Sequence, residues 1–388
     1  MVLDVPWSEE DARSAIARTV DDLVWGWSRD DAWTIHPDDL EEGDVARNEP
    51  GLYHGAAGNV WALMSLGDAG YSVALDLHSA AQRALRARSR WAGESWYETS
   101  YMAGELGPAV VSALLGDDSQ HARIADLIER NLGNASHSVF IGAPGSMLAA
   151  IAMYERSGEP MWRQLFERGL ERLWSAWQPV SESVYLWKQY LYGRDVPSYI
   201  IGAAHGFAGA VAVVLRGREL LDEPRRVETW RRAISTAKAL AKRAGQHVNW
   251  PKTHVDAPRF PLQWCFGAPG IVAALSAIPA GIDEEFDRLM LEGGETIWNA
   301  GPLVKGAGIC HGTAGNGFAL LALHARTGDA LWLRRARTFG MNAIAQTRAQ
   351  HARWGRPWFS LWTGDSGVAI FLQACLSDAP GILSFGKF

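Results

Sequence analysis

Two apolar patterns alternate along this chain. The first is amphipathic. Ile16, Val20, Leu23, Val24 and Trp27 recur on one face of a 3.6-residue period. Ser8 followed by Glu9, Glu10 and Asp11 supplies the N-cap and acidic first turn that such a helix needs. Beyond Pro160, the residues Trp162, Leu165, Phe166, Leu173, Trp174 and Trp177 keep the same period, and the stretch Ser119 to Leu132 gathers Ile124, Leu127 and Ile128 on one side. The second pattern is short, small and apolar almost throughout, as in Asn59-Val-Trp-Ala-Leu, Ala208-Gly-Ala-Val-Ala-Val-Val and Ile271-Val-Ala-Ala-Leu. Such runs suit helices buried on most sides. No stretch of any length shows the strict alternation of a strand.

A Gly-x-x-Gly pair opens each run of the second kind. The pairs are Gly55/Gly58, Gly104/Gly107, Gly142/Gly145, Gly206/Gly209, Gly267/Gly270, Gly312/Gly315 and Gly364/Gly367. One such pair carries no information, but seven at a loose period indicate an internal repeat. Each unit therefore reads as an amphipathic outer helix followed by an apolar inner one. Glycine at the start of the inner helix permits positive φ and close backbone approach. Single hairpins cannot bury their apolar faces. Seven of them either close into a ring, an all-α toroid with inner and outer layers of seven helices, or stack as an open superhelix. In the ring, all seven glycine turns face one end. The repeat is evenly spread, so residues 1–388 read as one domain despite a length of 388 residues. The segment Gln246 to Gln263, with Pro251, Pro258, Pro261, His247 and His254, breaks the pattern and reads as a long loop.

Composition narrows the partners. A net charge of −6 lacks the basic footprint that nucleic acid requires. No apolar stretch is long enough to span a bilayer, and Met1-Val-Leu-Asp-Val-Pro-Trp does not read as a signal peptide. Three cysteines without a disulfide pattern fit a reducing, cytoplasmic setting. The 19 tryptophans read mainly as core and inter-helix packing, with some available to line a peptide cleft.

The position before each first glycine holds, in order, His54, Ala103, Ile141, His205, Phe266, His311 and Thr363. Cys265 and Cys310 fall one residue earlier in units five and six. In a ring, Cys265, Cys310 and His311 converge from neighbouring hairpins. Two thiolates and an imidazole form a soft set suited to zinc, and three protein ligands leave a fourth position open, as catalytic zinc sites do. Cys375 lies in Phe371-Leu-Gln-Ala-Cys-Leu, on an apolar helix, and reads as core. By repeat symmetry His54 faces the same mouth, as a binding or supporting group.

Trp264-Cys265-Phe266-Gly267-Ala268-Pro269-Gly270 and Gly308-Ile309-Cys310-His311-Gly312-Thr313-Ala314-Gly315-Asn316 resemble the two zinc-ligand motifs of the lanthionine synthetase C-like (LanC-like) family. Gly202-Ala203-Ala204-His205-Gly206-Phe207-Ala208-Gly209 resembles its histidine unit, and Phe359-Ser360-Leu361-Trp362-Thr363-Gly364 resembles its last repeat. The resemblance spans nearly the whole chain. It implies the seven-fold α/α toroid, and zinc-dependent addition of a thiol to a dehydroalanine or dehydrobutyrine residue. The thiol is either a cysteine of the same dehydrated peptide, as in lanthipeptide cyclases, or glutathione. It implies a dehydrated peptide or protein as partner and a separate dehydratase upstream, since no dehydratase domain is appended here. It further implies an acid/base role for His205 and cationic substrate-binding positions at Lys305 and Arg353. Two positions depart from the family pattern: Phe266 stands where many relatives carry His or Tyr, and Ser138 where they often carry a carboxylate. A zinc-bearing scaffold without catalysis, and a carbohydrate enzyme using Glu105 and Asp365, are the competing readings.

Overall fold

The computed structural model describes residues 5–27, 33–40, 42, 47–87, 95–190, 197–245, 247–255 and 259–377. Met1 to Asp4, Gln246 and Pro258 lie outside the described residues. Seven outer helices run α1 Glu9–Trp27, α3 Leu77–Arg86, α6 His121–Asn131, α8 Pro160–Ser175, α10 Glu223–Leu240, α12 Glu284–Ala300 and α14 Ala330–Trp354. Seven inner helices alternate with them: α2 Ala56–Asp68, α5 Leu106–Leu114, α7 Ala143–Ser157, α9 Phe207–Arg216, α11 Ala268–Leu275, α13 Thr313–Thr327 and α15 Asp365–Ser377. A single short turn, α4 Ser95–Glu98, precedes the second glycine pair. Among the described residues, no helix is long and apolar enough to cross a membrane.

The two apolar patterns map onto the two layers. Helix α8 buries only Trp162, Leu165, Phe166, Gly169, Leu170 and Leu173, one face of its period. Helix α13 is buried at every position from Thr313 to Leu323. Helix α1 starts where Ser8 accepts the Asp11 amide on its hydroxyl at 3.1 Å. Each inner helix packs against the next, from α2 through α5, α7, α9, α11 and α13 to α15, and α15 returns to α2 and α1. The ring is closed, and the open superhelix is excluded.

Close approach, more than backbone handedness, explains the paired glycines. Of the fourteen, only Gly267 has positive φ, at 93°. A Cβ on the second glycine of every pair would strike the carbonyl oxygen six residues back, such as Ala203 for Gly209 or Ile309 for Gly315. Each entry loop folds tightly over the first turn of its inner helix. The amide after the first glycine is capped by the carbonyl seven residues earlier: Ala56 on Glu49 at 2.7 Å, Phe207 on Ile200 at 2.9 Å, Thr313 on Gly306 at 3.0 Å. These backbone caps stand in for the side-chain N-caps that these helices lack. Gly209→Ala should therefore destabilise the protein by roughly 1–3 kcal/mol, the cost of overpacking a fixed interior. Urea unfolding checks this, and an unchanged midpoint would show that the loop can retreat.

The structure adds elements that the alternation of residues did not reveal. A ribbon of β1 Trp177–Ser181 and β2 Val184–Trp187 follows α8, and a second of β3 Lys242–Ala244 and β4 His247–Asn249 follows α10. The predicted loop from Gln246 thus contains regular pairing. His247 belongs to β4, Thr253 bridges to Ile200, and His254 donates its amide to Tyr199 at 2.9 Å. Strands of three to five residues are too short to display a period of two. The tryptophans pack as expected: Trp33, Trp61, Trp162, Trp177, Trp187, Trp250, Trp264 and Trp362 are among the largest fully buried side chains. Cys375 is buried in the core.

Candidate functional site

The residues two places before each first glycine are Tyr53, Met102, Phe140, Ala204, Cys265, Cys310 and Trp362. They form a collar of backbone hydrogen bonds around one end of the ring. Cys265 donates its amide to the Cys310 carbonyl at 3.0 Å, Cys310 to Trp362 at 2.8 Å, Trp362 to Tyr53 at 3.4 Å and Tyr53 to Met102 at 2.9 Å. Phe140 donates to Ala204 at 3.3 Å. The collar brings equivalent side chains of successive units to one mouth, as the repeat predicts.

On that collar the ligand atoms of Cys265, Cys310 and His311 lie within 4.8 Å of one another. Both cysteines are buried, and His311 is half-buried. The two sulfurs share a hydrogen bond. That bond, with a donor from Gln263 Nε2 at 3.0 Å and the charge of Lys305, draws the Cys265 thiol below its usual range although burial opposes it. The same shared bond and burial push Cys310 well above its range, with His311 pulling the other way. The shared bond thus sets the two sulfurs apart, with the Cys265 thiol the readier of the two to lose its proton. A soft dication fits here: three close nitrogen and sulfur donors from two adjacent turns, leaving a fourth position for a ligand.

Tyr53 was not singled out in the sequence. Burial first, and then its hydrogen bond to Cys310, push its phenol well above the usual range, so it stays a donor toward that sulfur. Its ring meets Phe140 at 4.7 Å edge-on and Trp362 at 6.1 Å, and Trp362 meets Trp264 at 4.8 Å. The mouth is therefore walled by aromatic faces.

His205 stands beside this wall, half-buried, with its ring 5.2 Å from Phe140 and 6.4 Å from Phe266. Burial, then the charge of Lys252, bring its pKa down to about 4, so the imidazole is neutral near pH 7. Ser138 does not supply a carboxylate's function. Its buried hydroxyl accepts the Ile141 amide at 3.2 Å and closes the third turn instead.

His54 is engaged across the closure of the ring. Its Nδ1 lies 3.1 Å from Asp39, which also accepts from the Trp358 indole at 2.6 Å and the Thr363 hydroxyl at 2.8 Å. Burial alone would raise the Asp39 pKa, but the His54 charge and these donors outweigh it and hold the carboxyl below its usual range. Lys305 is exposed and acts on the site through its charge at Cys265. Arg353 is exposed on the last turn of α14, its guanidinium 5.2 Å from the Trp354 ring, and is not drawn into the cysteine cluster. The two carboxylates of the carbohydrate reading are not paired: Glu105 meets Arg123 at 2.8 Å, and Asp365 holds His351 at 2.6 Å.

Comparison with known proteins bears on the fold and the family. The chain is 30% identical over 203 residues to a Danio rerio protein named glutathione S-transferase LANCL1, covering 52% of this chain and 47% of that one. It is 31% identical over 140 residues to LanC-like protein GCL1 of Arabidopsis thaliana, covering 36% and 31% respectively. The matches thus span about half or less of these curated relatives. Among solved structures, nisin cyclase superposes with a TM-score of 0.64 at 14% identity, over 92% of this chain and 93% of that one, a likeness of fold. The family model for lanthionine synthetase C-like proteins matches residues 46–381, and the chain belongs to that family.

Proposed function

We propose that this protein forms thioether bonds by adding a thiol to a dehydroalanine or dehydrobutyrine residue of a peptide or protein. Zinc would be held by Cys265, Cys310 and His311. The observation that carries the reading is the convergence of these three ligand atoms at one mouth of the toroid, with His205 a neighbour of Phe266, the residue after Cys265. When bound, zinc supplies a Lewis acid that lets an incoming thiol lose its proton near neutral pH, where a free thiol of pKa about 8.5 is mostly protonated.

The chain's own residues account for the rest. Cys265 and Cys310 keep the centre negative and so preserve the electron density of an incoming sulfur. Gln263 and Tyr53 donate to the two cysteine sulfurs and fix their orientation. A new S–C bond forms at Cβ of the dehydro residue, the C=C electron pair moves toward the carbonyl, and a proton arrives at Cα. One proton leaves the thiol and one reaches Cα, so the product is the sum of its reactants. His205, neutral and aromatic-walled, carries that proton. Lys305, exposed beside the cysteines, is the anchor for a substrate carboxylate.

A cysteine of the same peptide makes the reaction a ring closure. Glutathione makes it an intermolecular addition, a reading supported by the name of the Danio rerio relative. A synthetic peptide with one dehydroalanine and one downstream cysteine separates them. It is incubated with the zinc-loaded protein, with and without glutathione, then alkylated and weighed. Loss of the alkylatable thiol without mass gain identifies a cyclase, and an enzyme-dependent glutathione adduct identifies the transfer reaction. Neither product, with zinc bound, would overturn catalysis on free peptides and leave a thiol-binding scaffold.

A further inference from the structure

The segment after β4 places a cation where the sequence offered none. Lys252 is held from both sides: its carbonyl accepts the Ile201 amide at 3.0 Å, and its own amide donates to Arg259 at 2.7 Å. Next to it, Thr253 bridges Ile200 and His254 binds Tyr199. Residues 252–254 thus run along 199–201, the strip that leads into the His205 turn. This fixes the origin of the side chain, and its Nζ lies 4.6 Å from the centre of the Phe266 ring. Phe266 follows the ligand Cys265 directly, and its ring is also a neighbour of His205. Among the described residues, no carboxylate lies within ion-pair distance of this ammonium. In a chain of net charge −6, a lysine set over the residue that follows a proposed metal ligand is conspicuous.

We propose that Lys252 is a catalytic residue that holds the carbonyl oxygen of the dehydro residue and stabilises the enolate formed when sulfur attacks Cβ. This rests on the addition reaction proposed above. The step needs a positive partner on the electrophile's side. His205 is neutral, Phe266 has no polar atom, and Lys305 acts on the thiol side through Cys265. The ammonium of Lys252 reaches over Phe266 from the segment that runs along the fourth unit's entry strip and meets that need. It gives up no proton in the step: the electron pair gathers on the substrate oxygen, returns to Cα, and the proton at Cα comes through His205. A fixed donor aimed at developing charge acts more strongly in the transition state than on the neutral amide, so it changes turnover more than binding.

Lys252→Met keeps the stem over Phe266 and removes the charge, at an exposed position that folding tolerates. With zinc-loaded protein and a dehydroalanine peptide, kcat should fall about 10²-fold, the scale of losing one such donor, with KM little changed. Lys252→Arg should recover part of the loss. Independently of turnover, the His205 imidazole in metal-free protein, assigned with a His205→Asn control, should titrate higher in Lys252→Met than in the unaltered chain. An unchanged kcat, or a raised KM at constant kcat, would overturn the role in the transition state. An unmoved His205 titration would show that the ammonium does not face the site and would overturn the inference whatever the reaction. If the unaltered protein yields no thioether at all, the reaction itself falls and this role with it, while the His205 titration still reports the placement.

Discussion

Replacing Cys310 with alanine is expected to strip the protein of metal and, with it, of thiol addition. The unaltered chain should bind roughly one zinc ion, as a site of three protein ligands does. Cys310 shares a hydrogen bond with Cys265 and holds the one from Tyr53, so its loss removes a ligand and unsettles the partner sulfur. Two donors, Cys265 and His311, then remain. The fold should survive, because the collar uses the backbone amide and carbonyl of residue 310 and not its side chain. Metal analysis after gel filtration, with circular dichroism for the fold, checks this. Cys375→Ala, deep in α15, should keep its metal. Full retention of zinc by Cys310→Ala would overturn the ligand set.

Replacing His205 with asparagine should give the opposite separation, with zinc kept and turnover lowered by about 10²–10⁴-fold, the usual scale of general acid–base catalysis. The same substitution should change the response to acid. In the folded protein the His205 pKa is lowered from 6.5 to about 4 by burial and by Lys252. The unfolded chain therefore takes up the proton first. The stability tied to a neutral His205 is complete above pH 6.5 and is lost as pH falls toward 4. His137, lowered to about 4 by burial alone, adds to the same trend. Unfolding midpoints at pH 7 and pH 5 should differ less for His205→Asn than for the unaltered chain. An equal difference would mean that His205 is solvated in the native state.

Much of this architecture is written in local patterns. The two apolar periodicities separate outer from inner helices, and the two positions before the first glycines of units five and six hold Cys265, Cys310 and His311, whose ligand atoms the structure brings together. What escaped depends on pairing across the ring. Tyr53, Phe140 and Trp362 sit one residue further back, at the same register as the cysteines, and the register alone could have found them. As aromatics they read equally well as core. Asp39 has no local signal at all: its partners His54, Trp358 and Thr363 come from units one and seven. Lys252 is equally silent, since its role follows from the strip at 199–201. The two ribbons were missed because three to five residues are too few to show alternation. Phe266 and Ser138 needed coordinates to interpret, one as a platform beneath Lys252 and the other as a turn cap.

The seam between units one and seven bears on when this protein can first act. Asn59 donates to the Phe359 carbonyl at 3.3 Å and accepts from Ser366 at 2.6 Å, and Trp362 donates to Tyr53 at 3.4 Å. These partners are separated by about three hundred residues, as the seam hydrogen bonds record. Contacts so distant along the chain form late and slowly. During synthesis six hairpins can emerge and pack while the Tyr53 side of the mouth still has no neighbour to close against. A copy lacking the seventh hairpin would carry all three proposed metal ligands and yet no closed ring. Pairing of the seventh hairpin with the first is thus the step that completes the mouth at which Cys265, Cys310 and His311 converge.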